Sequence, residues 1–168
     1  MKARGLVAIP TLLVALIAAL LPAGSASAAV STTFLNSSSV LCMTSRAGNG
    51  ERPVVQTTCD TTVPTFWADQ HWLVVGGNAL TQIKNVATGL CLVARGSGEA
   101  QAVATGCGPA ADQWWWPVYH YPTGTYKLQN KNSGLCLAAR GYGESPVIAT
   151  TCDSSVNRYW PDQHWYES

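Results

Sequence analysis

One unit is written three times in this chain, and that repetition limits the fold more than any other feature. The third copy runs Ser133-Gly134-Leu135-Cys136-Leu137-Ala138-Ala139-Arg140-Gly141-Tyr142-Gly143-Glu144, then Cys152, then Gln163-His164-Trp165. The second is Thr88-Gly89-Leu90-Cys91-Leu92-Val93-Ala94-Arg95-Gly96-Ser97-Gly98-Glu99, then Cys107 and Gln113-Trp114-Trp115. A weaker first copy holds Leu41-Cys42, Arg46, Glu51, Cys59 and Gln70-His71-Trp72. A unit this short cannot bury its own apolar face, so the three must share one core, with Trp72, Trp115 and Trp165 aimed at a common centre.

The repeat also sorts the cysteines. All six lie beyond the apolar N-terminal segment, and the repeat pairs Cys42 with Cys59, Cys91 with Cys107 and Cys136 with Cys152, at separations of 17, 16 and 16. Loops of that length contribute about 3 kcal/mol each in the chain-entropy description. Zinc is the competing use of six cysteines, but no Cys-x-x-Cys occurs and no histidine stands beside a cysteine, so no metal or other cofactor is expected.

Met1-Lys2-Ala3-Arg4, the apolar run Leu6–Leu21 and the small residues Ser25-Ala26-Ser27-Ala28-Ala29 have the layout of a secretory signal peptide. Residues 1–28 are therefore assigned to a leader and 29–168 to one domain, with repeats near 31–75, 79–120 and 124–168. An extracellular location follows, which suits disulfides. Without Lys2 and Arg4, eight basic side chains face nine acidic ones, a net of −1. No basic stripe remains for nucleic acid, and no membrane insertion is expected once the leader is cleaved.

Each repeat reads as four short strands. The first ends at an Asn six residues before the cysteine (Asn36, Asn85, Asn130), and each Asn opens a polar turn. The second strand carries the cysteine, the third leads to its partner, and the fourth is expected to begin at the Gln-x-Trp triplet. No stretch has helical period, so the class is all-β, closed or nearly so.

Three cysteine pairs in phase with three Gln-x-Trp triplets closely resemble the ricin-B-like β-trefoil lectins, here as a secreted single-domain member of the bacterial type. The resemblance spans residues 29–168 and implies a β-trefoil of three four-stranded repeats, each with one disulfide. It also implies that Gln70, Gln113 and Gln163 bond to backbone, and that Trp72, Trp115 and Trp165 fill the core. Members usually bind sugar through four features per repeat, three of which are replaced here. The carboxylate position two after the first cysteine holds Thr44, Val93 and Ala138. The polar position four before the second cysteine holds Val55, Val103 and Ile148, and the aromatic position two before it holds Thr57, Thr105 and Thr150. Only the polar residue ahead of the triplet survives, as Asp69, Asp112 and Asp162. A pocket built to bond hydroxyls loses affinity when its acceptors become apolar, so the usual pockets read as degenerate.

Two other groups are candidates for ligand contact. Arg46, Arg95 and Arg140 follow their first cysteine by four residues, with Glu51, Glu99 and Glu144 beyond the Gly-rich turn. They read either as an Arg–Glu pair across each hairpin loop or as a polar site that grips hydroxyls or a carboxylate. Repeats one and three also carry five extra residues before the triplet, bringing Phe66-Trp67 ahead of Asp69 and Tyr159-Trp160 ahead of Asp162. Aromatic rings beside carboxylates suit a pyranose; the same rings would equally serve as lids over the barrel ends. Trp114 and Trp116 flank a core Trp and should face outward.

No nucleophile, metal-hydrolase or phosphate-loop motif occurs, and repetition of one polar pattern argues for binding at equivalent places rather than catalysis. The leading expectation is a non-catalytic, carbohydrate-binding secreted module. The rival is a trefoil that binds protein, as a protease inhibitor or cell-envelope interaction protein does, through one asymmetric apolar patch around Tyr119-His120-Tyr121.

Overall fold

The computed structural model describes residues 31–46, 48, 50–61, 67–77, 79–153 and 160–168. The leader, Phe66 and Tyr159 lie outside the described residues. Among the described residues thirteen strands follow in order: β1 Ser31–Asn36, β2 Cys42–Ser45, β3 Arg52–Thr57, β4 His71–Gly77, β5 Leu80–Asn85, β6 Cys91–Val93, β7 Ala100–Gln101, β8 Val103–Thr105, β9 Trp115–His120, β10 Thr125–Asn130, β11 Cys136–Ala139, β12 Ser145–Thr150 and β13 Trp165–Glu167.

Six of them close on themselves as an antiparallel barrel: β1 pairs β4, β4 pairs β5, β5 pairs β9, β9 pairs β10, β10 pairs β13 and β13 returns to β1. Closure leaves the barrel no unpaired edge. The hairpins β2–β3, β6–β8 and β11–β12 cap one end. They also pair with one another, β3 with β8, β7 with β12 and β12 with β3, so the cap is a ring as well.

The core is stacked in layers of three equivalent side chains. Phe34, Ile83 and Leu128 lie in the barrel; Trp72, Trp115 and Trp165 form the next layer; Met43, Leu92 and Leu137 follow; and Val54, Ala102 and Val147 sit at the cap. All three indoles are fully buried, and each donates its Nε1–H to the carbonyl of the residue after a first cysteine: Met43 (2.9 Å), Leu92 (3.0 Å) and Leu137 (3.1 Å). Truncating a buried aromatic of this kind costs about 3–5 kcal/mol.

The disulfides join Cys42 to Cys59, Cys91 to Cys107 and Cys136 to Cys152, with Cα atoms 5.0, 5.0 and 4.9 Å apart. No thiol is left to bind zinc. Around each second cysteine the triplet's Gln works as a clamp. Gln70 donates to the Thr58 carbonyl and accepts from Asp60 N–H; Gln113 bridges Gly106 and Gly108; Gln163 bridges Thr151 and Asp153.

Two sequence readings need correction. The Gln does not begin the fourth strand; it ends a single 3-10 turn, Ala68–Gln70, Ala111–Gln113 or Pro161–Gln163. This turn lets the Gln fold back on its disulfide while the Trp points into the core. The second repeat has five strands, because its third is split at Ala102 into β7 and β8, one pairing with β12 and the other with β3.

Each Asn that ends a first strand reaches across to another repeat. Asn36 Nδ2 donates to the Asp162 carbonyl, Asn85 to that of Asp69 and Asn130 to that of Asp112, at 2.8, 2.8 and 2.7 Å. Their Oδ1 atoms accept turn N–H groups from Ser38, Thr88 and Asn132. The turns end at residue 40, 89 or 134 in a left-handed conformation. Two of these are glycines with φ of 69° and 70°, but the first is Val40, at φ 58°.

Candidate functional site

The arginines and glutamates do not pair across hairpin loops. They pair between repeats: Arg46 with Glu144 (2.9 Å), Arg95 with Glu51 (2.5 Å) and Arg140 with Glu99 (2.9 Å). The strand pairing in the cap is the cause. Each Glu immediately precedes a third strand, and the first residues of that strand bond to a neighbouring repeat, which delivers the Glu to that neighbour's Arg. Each Arg also reaches the Asp of its own repeat: Arg46 to Asp69 at 3.3 Å, Arg95 to Asp112 at 4.0 Å and Arg140 to Asp162 at 3.0 Å.

The result is a crown of three Asp–Arg–Glu bridges around the cap. The Glu144 hydrogen bond raises the Arg46 pKa above its ordinary value. The Thr150 hydroxyl, followed by Arg140, lowers that of Glu99. Thr150, where the resemblance would place an aromatic residue, donates its hydroxyl to Glu99 at 2.6 Å. Thr44, Val93 and Ala138, at the family's carboxylate position, are wholly buried.

The matched loops of repeats one and three keep their tryptophans in solvent, with Trp67 40% and Trp160 38% exposed. Each is held at its backbone by the carboxylate that follows a second cysteine: Trp67 N–H donates to Asp60 (2.9 Å) and Trp160 N–H to Asp153 (3.2 Å). Asp69 and Asp162 stand two residues beyond these indoles, each with one carboxylate oxygen on its Arg. Repeat two has Ala110 where the others have Trp; there Trp116 is exposed and Trp114 half-buried.

Sequence reasoning passed over one cluster, a buried network found in repeat three. Lys127 Nζ donates to Asp153 Oδ1 (2.6 Å) and to its carbonyl (3.0 Å); His164 Nε2 lies 3.3 Å from Asp153, and His164 Nδ1 lies 2.9 Å from the Thr125 hydroxyl. Burial works against the Asp153 carboxylate, yet the Lys127, Trp160 and His164 contacts hold its pKa below the usual range. Burial pushes the His164 pKa down as well, against the pull of Asp153. The available signal was Cys-Asp at 59–60 and 152–153, in the two repeats with long loops, against Cys-Gly at 107–108.

Among curated proteins, none matches the sequence. A family model described as ricin-type beta-trefoil lectin domain-like matches residues 68–147. Among solved structures, the chain is similar to a designed threefold-symmetric protein, ThreeFoil, at 16% identity and TM-score 0.69, over 82% of this chain and 96% of that one. The hemolytic lectin CEL-III aligns at 25% identity and TM-score 0.62, over 80% of this chain and 29% of that one. Polyporus squamosus lectin, solved bound to the epitope Neu5Aca2-6Galb1-4GlcNAc, aligns at 16% identity and TM-score 0.63, over 81% of this chain and 48% of that one. The closed barrel with its three-hairpin cap and the likeness to ThreeFoil make the fold a β-trefoil, and its segment 68–147 is similar to the ricin-type lectin domain.

Proposed function

We propose that this trefoil is an exported, non-catalytic carbohydrate-binding module whose sugar contacts lie on the two long loops, at Trp67 with Asp69 and at Trp160 with Asp162. The observation that carries the reading is the exposure of both indoles beside half-occupied carboxylates. The C–H face of a pyranose stacks on an indole while its hydroxyls bond to the carboxylate oxygen that the Arg leaves open. The pocket usual in the family lacks its acceptors here, so affinity per loop is low and two loops act together on a polymer or clustered glycan. The crown of Asp–Arg–Glu bridges serves to set the position of each Asp.

A glycan array and an insoluble-polysaccharide pull-down, run with the wild type and with Trp67→Ala/Trp160→Ala, test this. Binding should fall at least tenfold in the double variant. Retention of full binding would move the site to the arginines and glutamates. Failure of the wild type to bind any glycan would leave the fold as a scaffold for a protein partner.

A further inference from the structure

The end of the barrel opposite the cap is open and holds a cavity of about 720 Å³. Its floor is the apolar layer of Phe34, Ile83 and Leu128. Symmetry would make its walls equivalent, but they are not. The position two residues after each core Trp is Val74 in the first repeat and Pro117 in the second, whereas the third places Glu167 there. Three tyrosines crowd the same wall. The Tyr119 and Tyr121 rings are 4.8 Å apart and inclined at 87°, and Tyr119 and Tyr126 are 5.0 Å apart at 57°.

We propose that this mouth is a second ligand site, for a small organic cation bearing an alkylated ammonium group, held in the corner of Tyr119, Tyr121 and Tyr126 with Glu167 as its counter-charge. The Tyr119 and Tyr121 rings meet edge to face and form a corner whose ring faces suit a compact cation. Among the described residues Glu167 is the one charged side chain lining the cavity, and it forms no ion pair. Burial is the one influence on its pKa and raises it, with no cation beside it to offset the shift. A bound ammonium supplies that missing partner. The site shares no residue with the Trp67 and Trp160 loops and stands or falls without them.

Calorimetric titration of the intact protein with choline tests the proposal, beside its neutral isostere 3,3-dimethyl-1-butanol and methyl galactoside. Choline should bind in the millimolar range or tighter, and the neutral isostere at least tenfold more weakly. Glu167→Gln and Tyr121→Ala, both at exposed positions, should each weaken choline at least tenfold, whereas Trp67→Ala/Trp160→Ala should leave it unchanged. Equal binding of choline and the isostere, indifference to Glu167→Gln, preference for the galactoside or no choline binding at all would each overturn the proposal.

Discussion

Replacing Lys127 by Met tests whether the buried network in repeat three holds the fold together. Asp153 is almost completely enclosed, its side chain 4% exposed, and Lys127 is 21% exposed. Breaking a buried pair by removing one partner costs about 3–5 kcal/mol, because a charge is left without compensation. Asp153 would keep the longer contacts to Trp160 N–H and His164, at 3.2 and 3.3 Å, so the lower end of that range applies, about 3 kcal/mol. The assay is urea unfolding of wild type, Lys127→Met and Lys127→Met/Asp153→Asn at pH 7 and pH 4. The amide introduced by Asp153→Asn carries no charge to strand, so the double variant should recover most of the loss.

The pH arm fixes the mechanism. In the wild type the Asp153 pKa is held below its ordinary 3.8, so its contribution is present above that value and disappears as pH falls through the folded-state value. His164 is pushed below its ordinary 6.5, so the fold also weakens as pH drops under that point and the unfolded imidazole takes up a proton more readily. Without Lys127 the sign for Asp153 reverses. Its pKa rises, the folded state accepts the proton first, and the gap between variant and wild type narrows from pH 7 to pH 4. A loss under about 1 kcal/mol at pH 7, or a gap that fails to narrow, would refute the account of a buried charge balanced by Lys127.

Val40→Gly should stabilise the protein by up to about 1 kcal/mol: a left-handed L-residue costs about 1–2 kcal/mol, and the freer unfolded glycine returns about 0.4–1 of it. Val40 is 65% exposed, so little packing is lost, and denaturant midpoints of Val40→Gly and of the reverse change Gly134→Val should move in opposite directions. Arg46→Gln removes two exposed bridges and should cost about 1 kcal/mol or less, shrinking further in 1 M salt; a larger, salt-insensitive loss would show that the crown is more than a surface network.

What the sequence made legible is what an internal comparison can reach. Three copies in register select one disulfide pattern out of the available ones and mark Trp72, Trp115 and Trp165 as equivalent. The same comparison says which residues correspond but not which copy a side chain touches. Arg46 and Glu51 sit five residues apart, yet each bonds to a different repeat, because the start of β3 pairs with β8 and the start of β12 with β3. The Gln-x-Trp triplet reads as the opening of a strand since its Trp alternates with strand residues, while the Gln obeys the disulfide beside it. Features that break the symmetry were least visible. Lys127 corresponds to Gln82 in repeat two, whose amide bonds to the Gly108 carbonyl as Lys127 bonds to that of Asp153; the letters differ at both ends of the contact, but only the fold shows that the two ends meet.

The Asn bridges from each first strand have a consequence for copy number. In a stacked solenoid every unit meets only the next, so end units fray and a unit can be added or lost. Here Asn36 of the first repeat grips the carbonyl of Asp162 in the third, which makes every repeat a neighbour of both others. Removing or inserting one would open two faces with no partner to cover them. Three is therefore a number set by closure, and the molecule has no first unit from which to unravel.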